Sequence, residues 1–391
     1  MNTNIIFSII IVTYNRNELL KDCLNSFKNQ SFKSFEVLIV DRGSVPSAKT
    51  VVEEINDNRF FYERSSQEIH FCDVVNETVK KTKGQYLCVF GDDDVINSQA
   101  LEIVNSAFMK NKNCDIAVLG SASVVNTNFD CLKIPSHLCS CSFFPYFKNK
   151  VLTEIFSGKE WVRWILSAQF IGKVSECSFP CYLHPSVFFM RKGKNFYNVI
   201  ARQGGIAVKP SFDSGYLGLA HYTDILFINA PLVVINFSFD NVSKINRRFW
   251  QEEIKDLKYL PKIAQLENRG AGSILNVLHK NNIEKEYDIT IQKKLYRKII
   301  RDIEKDYIWD KQTIKDYFLL LPYYLKSSKI KIDVLCHYIY SIINGIYIHL
   351  LKKEKLEKTK KIYNCINAKE ANSGLEIIFK EQIQKIKESF L

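Results

Sequence analysis

The chain has 391 residues, 46% hydrophobic and 25% charged, which excludes a disordered polypeptide and leaves material for two or three domains. Lys and Arg outnumber Asp and Glu by 54 to 42, and the net charge of +12 favours an anionic partner such as a phosphate-rich substrate, an acidic membrane surface or nucleic acid. The opening MNTNIIFSIII carries no basic n-region and no small-residue cleavage site, so it does not read as a signal peptide. Eleven cysteines are scattered without a disulfide framework. Cys139-x-Cys141 and Cys177-xxx-Cys181, the latter near His184, come nearest to metal-ligand spacing without completing a ligand set. Reduced thiols and a cytoplasmic location are expected.

Strand and helix signals alternate from residue 5 to about 125. IIFSIIIV (5–12) is a β-branched run suited to a strand buried on both faces. NRNELLKDCLNSFKNQ follows, with Leu19, Leu20, Cys23, Leu24 and Phe27 at helical spacing. FEVLIVD predicts a strand, SAKTVVEEIN a helix, RFFYE a strand and FCDVVNETVKKTKG a helix. QYLCVFG is a strand, SQALEIVNSAFMKN a helix with Asn97 or Ser98 as its N-cap, and CDIAVLGSASVV closes the series. This order predicts a mainly parallel α/β sheet.

Residues 126–180 are irregular apart from a helix around GKEWVRWILSAQ. YLHPSVFFMRKG resumes the sheet, PSFDSGYLGLAHY has a glycine-punctuated helical pattern, and DILFINAPLVVINFS supplies strand material. From about 241 the chain is rich in Lys, Ile and Tyr and reads as helical. The apolar run 332–351 is interrupted by Asp333, His337, Asn344 and His349, which predicts a buried helix rather than a membrane span.

Ligands of parallel α/β sheets bind beyond the carboxyl ends of the strands. Those ends carry Thr13-Tyr14-Asn15-Arg16, Asp41-Arg42-Gly43-Ser44 and Gly91-Asp92-Asp93-Asp94, so polar residues from three strands gather at one edge. Three adjacent carboxylates repel one another, and a hard cation such as Mg²⁺ or Mn²⁺ relieves that repulsion. An acidic turn before the helix near residue 98 has a second explanation in the helix dipole.

These segments, taken together, resemble the opening of a family 2 glycosyltransferase with the GT-A fold. FSIIIVTYNRNELL, the QSFKSFE segment and VDRGS stand in the family's order, followed by NETVKKTKGQYLCVFGDDD. The likeness is strong over residues 5–125 and weaker over 180–240. It implies a GT-A catalytic domain over 1–240, with a nucleotide-sugar half (1–125) and an acceptor half (126–240), and a Lys-rich helical region over 241–391. It implies that Thr13, Tyr14, Arg16, Asp41, Arg42 and Asp92 meet the donor nucleotide, and that Asp92, Asp93 and Asp94 supply the Mn²⁺ or Mg²⁺ site, Asp93 foremost. Two departures stand out. Arg42 replaces an Asp that commonly contacts uracil, and a guanidinium cannot accept the imino hydrogen bond. The acidic triad is also shifted in register.

Sugar transfer needs a base for the acceptor hydroxyl. The resemblance points to Asp213, ahead of a helical segment, with Asp224 as the runner-up, and puts His184 and Ser186 at the acceptor. An N-cap is the structural alternative for Asp213. The activity implied is inverting, metal-dependent transfer from a nucleoside-diphosphate sugar, UDP-linked by expectation, to a glycan or lipid-linked acceptor in bacterial surface-polysaccharide synthesis. A homo-oligomer and peripheral contact between the Lys-rich helices and the inner face of an anionic membrane are compatible with it. No nucleic-acid motif is present, and the triad would repel a phosphate backbone. An inactive or scaffolding relative is the alternative. A sugar-phosphate nucleotidyltransferase is disfavoured because VTYNRNE lacks a glycine-rich phosphate loop.

Overall fold

A computed structural model describes residues 5–66, 68–125, 152–166, 184–207, 214–237, 282–283, 286 and 368–390. The amino-terminal elements are β1 (Phe7–Thr13), α1 (Asn17–Lys28), β2 (Phe35–Asp41), α2 (Lys49–Ile55), β3 (Phe60–Arg64), α3 (Phe71–Lys81), β4 (Tyr86–Gly91), β5 (Val95–Ile96), α4 (Ala100–Lys110) and β6 (Cys114–Val125). After them come β7 (Thr153–Ser157), α5 (Gly158–Leu166), β8 (Phe188–Arg191), α6 (Lys194–Gln203), α7 (Ser214–Ala220) and β9 (Asp224–Phe237). Two helices, α8 (Ala368–Ile378) and α9 (Lys380–Phe390), end the described chain.

Among the described residues one sheet runs in the order β3-β2-β1-β4-β8-β6-β9-β5, with β7 also paired to β9. Strands β1 to β4, β6 and β9 share one direction, while β5, β7 and β8 run against it. The sheet is therefore mainly parallel, as expected. Phe7, Ile9, Ile10 and Ile11 are fully buried, which is why β1 reads as a continuous apolar run at the sheet's centre. Each such side chain contributes about 1.5–3 kcal/mol by leaving water. In α1 the expected stripe is realised by Leu20, Cys23, Leu24 and Phe27, while Leu19 stays partly exposed. The four described free cysteines, Cys23, Cys72, Cys88 and Cys114, are buried among apolar neighbours.

Several details differ from the sequence reading. The sequence left the neighbours of CDIAVLGSASVV open, and β8 enters between it and β4, antiparallel to both. β5 and β7 were not anticipated. Neither Asn97 nor Ser98 caps α4: Gln99 is the cap residue, and Asn97 Oδ1 accepts from the Gln99 amide one step ahead of the helix. The two carboxyl-terminal helices are part of the main body. Ile383, Ile386 and Phe390 join the principal core, and Ala368, Ala371 and Leu375 pack with Val95, Ala122 and Val234. Glu376 accepts from the Ser98 amide at 2.8 Å, and Lys387 donates to Glu102 at 2.9 Å. No helix among the described residues is long and apolar enough to cross a membrane; the run 332–351 lies outside them.

Candidate active site

Sheet register assembles the polar edge. Thr13 pairs with Asp41 at the ends of β1 and β2, and Val12 pairs with Gly91 at the end of β4. Three strands thus stop at one level, and the side chains that follow meet there. Asn15, in the left-handed region at φ 53°, turns the chain out of β1. Its backbone amide donates to Ser44 Oγ at 2.9 Å, and its Oδ1 accepts from the Val45 amide at 2.8 Å. The loops after β1 and β2 are stitched together by these bonds.

Arg16, at the start of α1, reaches across to the acidic turn. Its Nη1 lies 3.1 Å from Asp92 Oδ1 and 3.0 Å from Asp93 Oδ2, so two carboxylates converge on one nitrogen. Thr13 Oγ1 donates to the other oxygen of Asp92 at 2.7 Å. Tyr14 is partly exposed beside this corner in sequence.

Asp94 turns the opposite way. It is fully buried, accepts from Ser186 Oγ, and accepts from the Asn236 amide at 3.0 Å. Ser186 Oγ in turn accepts from the Gly91 amide at 2.9 Å. His184 Nδ1 stands 3.4 Å from the Asp94 carboxylate. Ser186 is itself wholly buried and faces the acidic turn. A Cβ at Gly91 would come within 2.7 Å of Asp94 Oδ2, so the glycine leaves room for that carboxylate.

Asp41 organises the loop after β2. It accepts from the amides of Ser44 at 2.7 Å and Ala48 at 3.0 Å, and from Tyr62 Oη at 2.9 Å. Arg42 is largely buried and donates through Nη2 to the Ile69 carbonyl at 2.6 Å, tying the loop to the segment entering α3.

Charge in the corner is unbalanced. Burial first, then the neighbouring Asp93, pushes Asp92 up to about 7, against the opposing pull of Arg16 and Thr13. Burial and Asp93 also push Asp94 well above the usual carboxylate range, opposed by Ser186, the Asn236 amide and Arg16. Desolvation lowers His184 against the influence of Asp93, so its imidazole is neutral at pH 7. For Asp41, burial would raise the pKa, but the bonds from Ser44, Ala48 and Tyr62 outweigh it and leave the group below its ordinary value.

The donor set fits a hard divalent cation. Mg²⁺ commonly takes one or two carboxylates and completes its shell with water and substrate phosphates. Asp92 and Asp93 supply two oxygens that already converge on a positive group. Among the described residues no cluster of three or more His, Cys, Asp or Glu is arranged around a metal position.

Asp213 lies outside the described residues, immediately before α7, as do Cys139, Cys141, Cys177 and Cys181. Asp224 is the first residue of β9 and pairs across the sheet with Cys114 and Ser157, at the far end of β9 from the Asn236 amide that meets Asp94. Sequence reasoning missed Asn76. From α3 it donates to the Ala207 carbonyl and accepts from the Ala207 amide, both at 3.0 Å, as a neighbouring strand would. Gly205 makes this approach possible, with φ at 145° and no Cβ to strike the Asn76 carboxamide. The asparagine at the head of NETVKK was the available signal.

A mainly parallel sheet with an acidic corner beyond β4, extended by an antiparallel β8 and by β9, is an α/β arrangement of the kind the GT-A resemblance implies. Residues 8–151 match the sequence model of glycosyl transferase family 2. Over 115 residues it is 20% identical to the glycosyltransferase GlyG of Streptococcus pneumoniae serotype 4, covering 29% of this chain and 38% of that protein. Over 179 residues it is 25% identical to the GalNAc(5)-diNAcBac-PP-undecaprenol beta-1,3-glucosyltransferase of Campylobacter jejuni, covering 40% and 58%. The matches thus span less than two thirds of either relative. A crystal structure of S. aureus TarS 1–349 in complex with UDP-GlcNAc aligns over 78% of this chain and 82% of that one, with 17% identity and a TM-score of 0.43.

Proposed function

We propose that the protein transfers a sugar from a nucleoside-diphosphate sugar, UDP-linked as the first candidate, to a glycan or lipid-linked acceptor with inversion at the anomeric carbon. The observation that carries this reading is the convergence of Asp92 and Asp93 on one cationic nitrogen at the carboxyl edge of β1 and β4. Asp92 and Asp93 would hold Mn²⁺ or Mg²⁺, which when bound offsets charge on a departing diphosphate. Arg16 then exchanges its carboxylate partners for phosphate oxygens, and Thr13 keeps Asp92 oriented. Tyr14, Asp41 and Arg42 shape the nucleotide side of the same edge.

On the acceptor side, Asp213 takes the proton of the attacking hydroxyl. The new bond forms from that oxygen to the anomeric carbon as the carbon–oxygen bond to the diphosphate breaks on the opposite face. The product is an inverted glycoside and a free nucleoside diphosphate. His184, neutral and partly exposed, lies against the same turn and is the described residue offered for acceptor contact. Residues 1–240 are assigned to catalysis, with 368–390 packed on them as a buttress.

The Campylobacter relative is named for a substrate carried on undecaprenyl diphosphate, and relatives from other bacteria are named for poly(ribitol-phosphate) and for colanic acid. A lipid-linked acceptor of surface polysaccharide and contact of the Lys-rich residues with an anionic bilayer belong to the same proposal. A screen of nucleotide sugars with Mn²⁺, reading nucleoside diphosphate release, tests it. Turnover with one donor that EDTA abolishes supports it. Absence of both turnover and donor binding across the panel would favour the scaffold reading.

A further inference from the structure

Three consecutive aspartates need not share one task, and their surroundings separate them. Asp92 and Asp93 meet Arg16 at the open edge, whereas Asp94 is folded back beneath Gly91. There it meets a closed set of donors from elements distant in sequence. Ser186 Oγ, from the turn before β8, donates to Asp94 and accepts from the Gly91 amide; the Asn236 amide, from β9, donates to the other Asp94 oxygen. The Asp94 amide also donates to the Gly91 carbonyl at 3.3 Å, closing the turn on itself.

We infer that Asp94 and Ser186 are positioning residues: a buried strut that sets the Gly91–Asp94 turn so that Asp92 and Asp93 present their oxygens together. The strut joins β4 to β8 and β9, the part of the sheet that leads to the acceptor half, so the two sides of the site share one fixed turn. The metal-affinity part of this inference rests on the proposed cation site at Asp92 and Asp93; the strut itself does not.

A control is built into the fold. At the opposite end of the sheet Ser8 Oγ donates to the buried Glu36 at 2.6 Å and accepts from the Gly84 amide at 2.7 Å, the same chemistry with no acidic corner nearby. Ser8→Ala therefore reports the purely structural cost of losing a buried serine bridge.

The experiment compares wild type, Ser186→Ala, Ser8→Ala, Asp93→Asn and Asp94→Asn by amide hydrogen exchange over residues 87–96 and by Mn²⁺ titration with UDP present. Ser186→Ala is expected to speed exchange in this segment about tenfold or more and to weaken Mn²⁺ binding roughly tenfold, while Ser8→Ala does neither. Asp94→Asn, which keeps an acceptor for the Asn236 amide, is expected to weaken Mn²⁺ several-fold less than Asp93→Asn. Unchanged exchange in Ser186→Ala overturns the strut. Loss of Mn²⁺ in Asp94→Asn as severe as in Asp93→Asn overturns it too, by making Asp94 a ligand. Should wild type bind no Mn²⁺ with UDP, the cation site fails, and the exchange data still decide the strut.

Discussion

The guanidinium of Arg16 lies 3.0 Å from the Asp93 carboxylate, through the same nitrogen that meets Asp92. If Asp92 and Asp93 hold a cation as proposed, it and this nitrogen compete for one place. Arg16→Met is expected to bind Mn²⁺ about tenfold tighter than wild type in the absence of nucleotide, a change of about 1.4 kcal/mol. The same variant is expected to bind UDP more weakly in Mn²⁺, since it lacks the guanidinium for the diphosphate. Isothermal titration of each ligand measures both; weaker Mn²⁺ binding in the variant would reverse the assignment.

Asp92 gives the corner a pH dependence. Its ordinary value is about 3.9, and the fold raises it to about 7, so the folded protein favours the protonated form. The stability that this contributes is complete below about pH 3.9 and is lost as pH rises through about 7. EDTA-treated protein should therefore lose part of its Tm between pH 5 and 8, and Asp92→Asn should flatten that loss. Metal must displace the same proton, so Mn²⁺ affinity should climb with pH up to about 7 and then level off. Thermal melts and Mn²⁺ titrations across that range check both trends.

Asn76→Ala removes two hydrogen bonds that hold the Ala207 backbone. Leaving a buried amide and carbonyl unpaired costs about 1–3 kcal/mol each, with some recovered by water. The expected outcome is a drop in urea midpoint and faster amide exchange over 203–207, together with a fall in turnover because the chain continues from there towards Asp213. Retained turnover with the same loss of stability would confine Asn76 to the scaffold.

Asp213→Asn should fold normally, bind UDP and Mn²⁺ as wild type does, and lose turnover by roughly 10² or more, the usual range for removing a general base. Wild-type turnover in this variant would transfer the role elsewhere, with Asp224 the next carboxylate to test.

Ile386 is completely buried where α9 meets the core. A charge there without a partner is destabilising by several kcal/mol. Ile386→Asp is therefore expected to melt the whole domain at lower temperature in a single transition. A separate early transition, with the catalytic body unaffected, would mean that α8 and α9 are an appendage.

The sequence by itself determined the strands and helices of residues 7–110, the short β5 excepted, and the edge where their polar ends meet. Apolar period and burial are local properties, so Ile9 to Ile11 and Leu20 to Phe27 announce their elements without reference to anything else. The acidic run is equally plain in the sequence, but a cation and a helix dipole both answer its repulsion, so composition does not assign a partner to each carboxylate. Partnership was decided by tertiary structure alone. Nothing in YLHPSVFFMRKG says that β8 will enter between β4 and β6, because a buried strand's pattern records that it is covered on both faces and not which strand lies beside it. That placement brings Ser186 under Asp94, and a chain separation of 92 residues puts the contact beyond any spacing rule. The three aspartates, identical in sequence, differ only in what the fold puts against each: a guanidinium for Asp92 and Asp93, a serine and a backbone amide for Asp94.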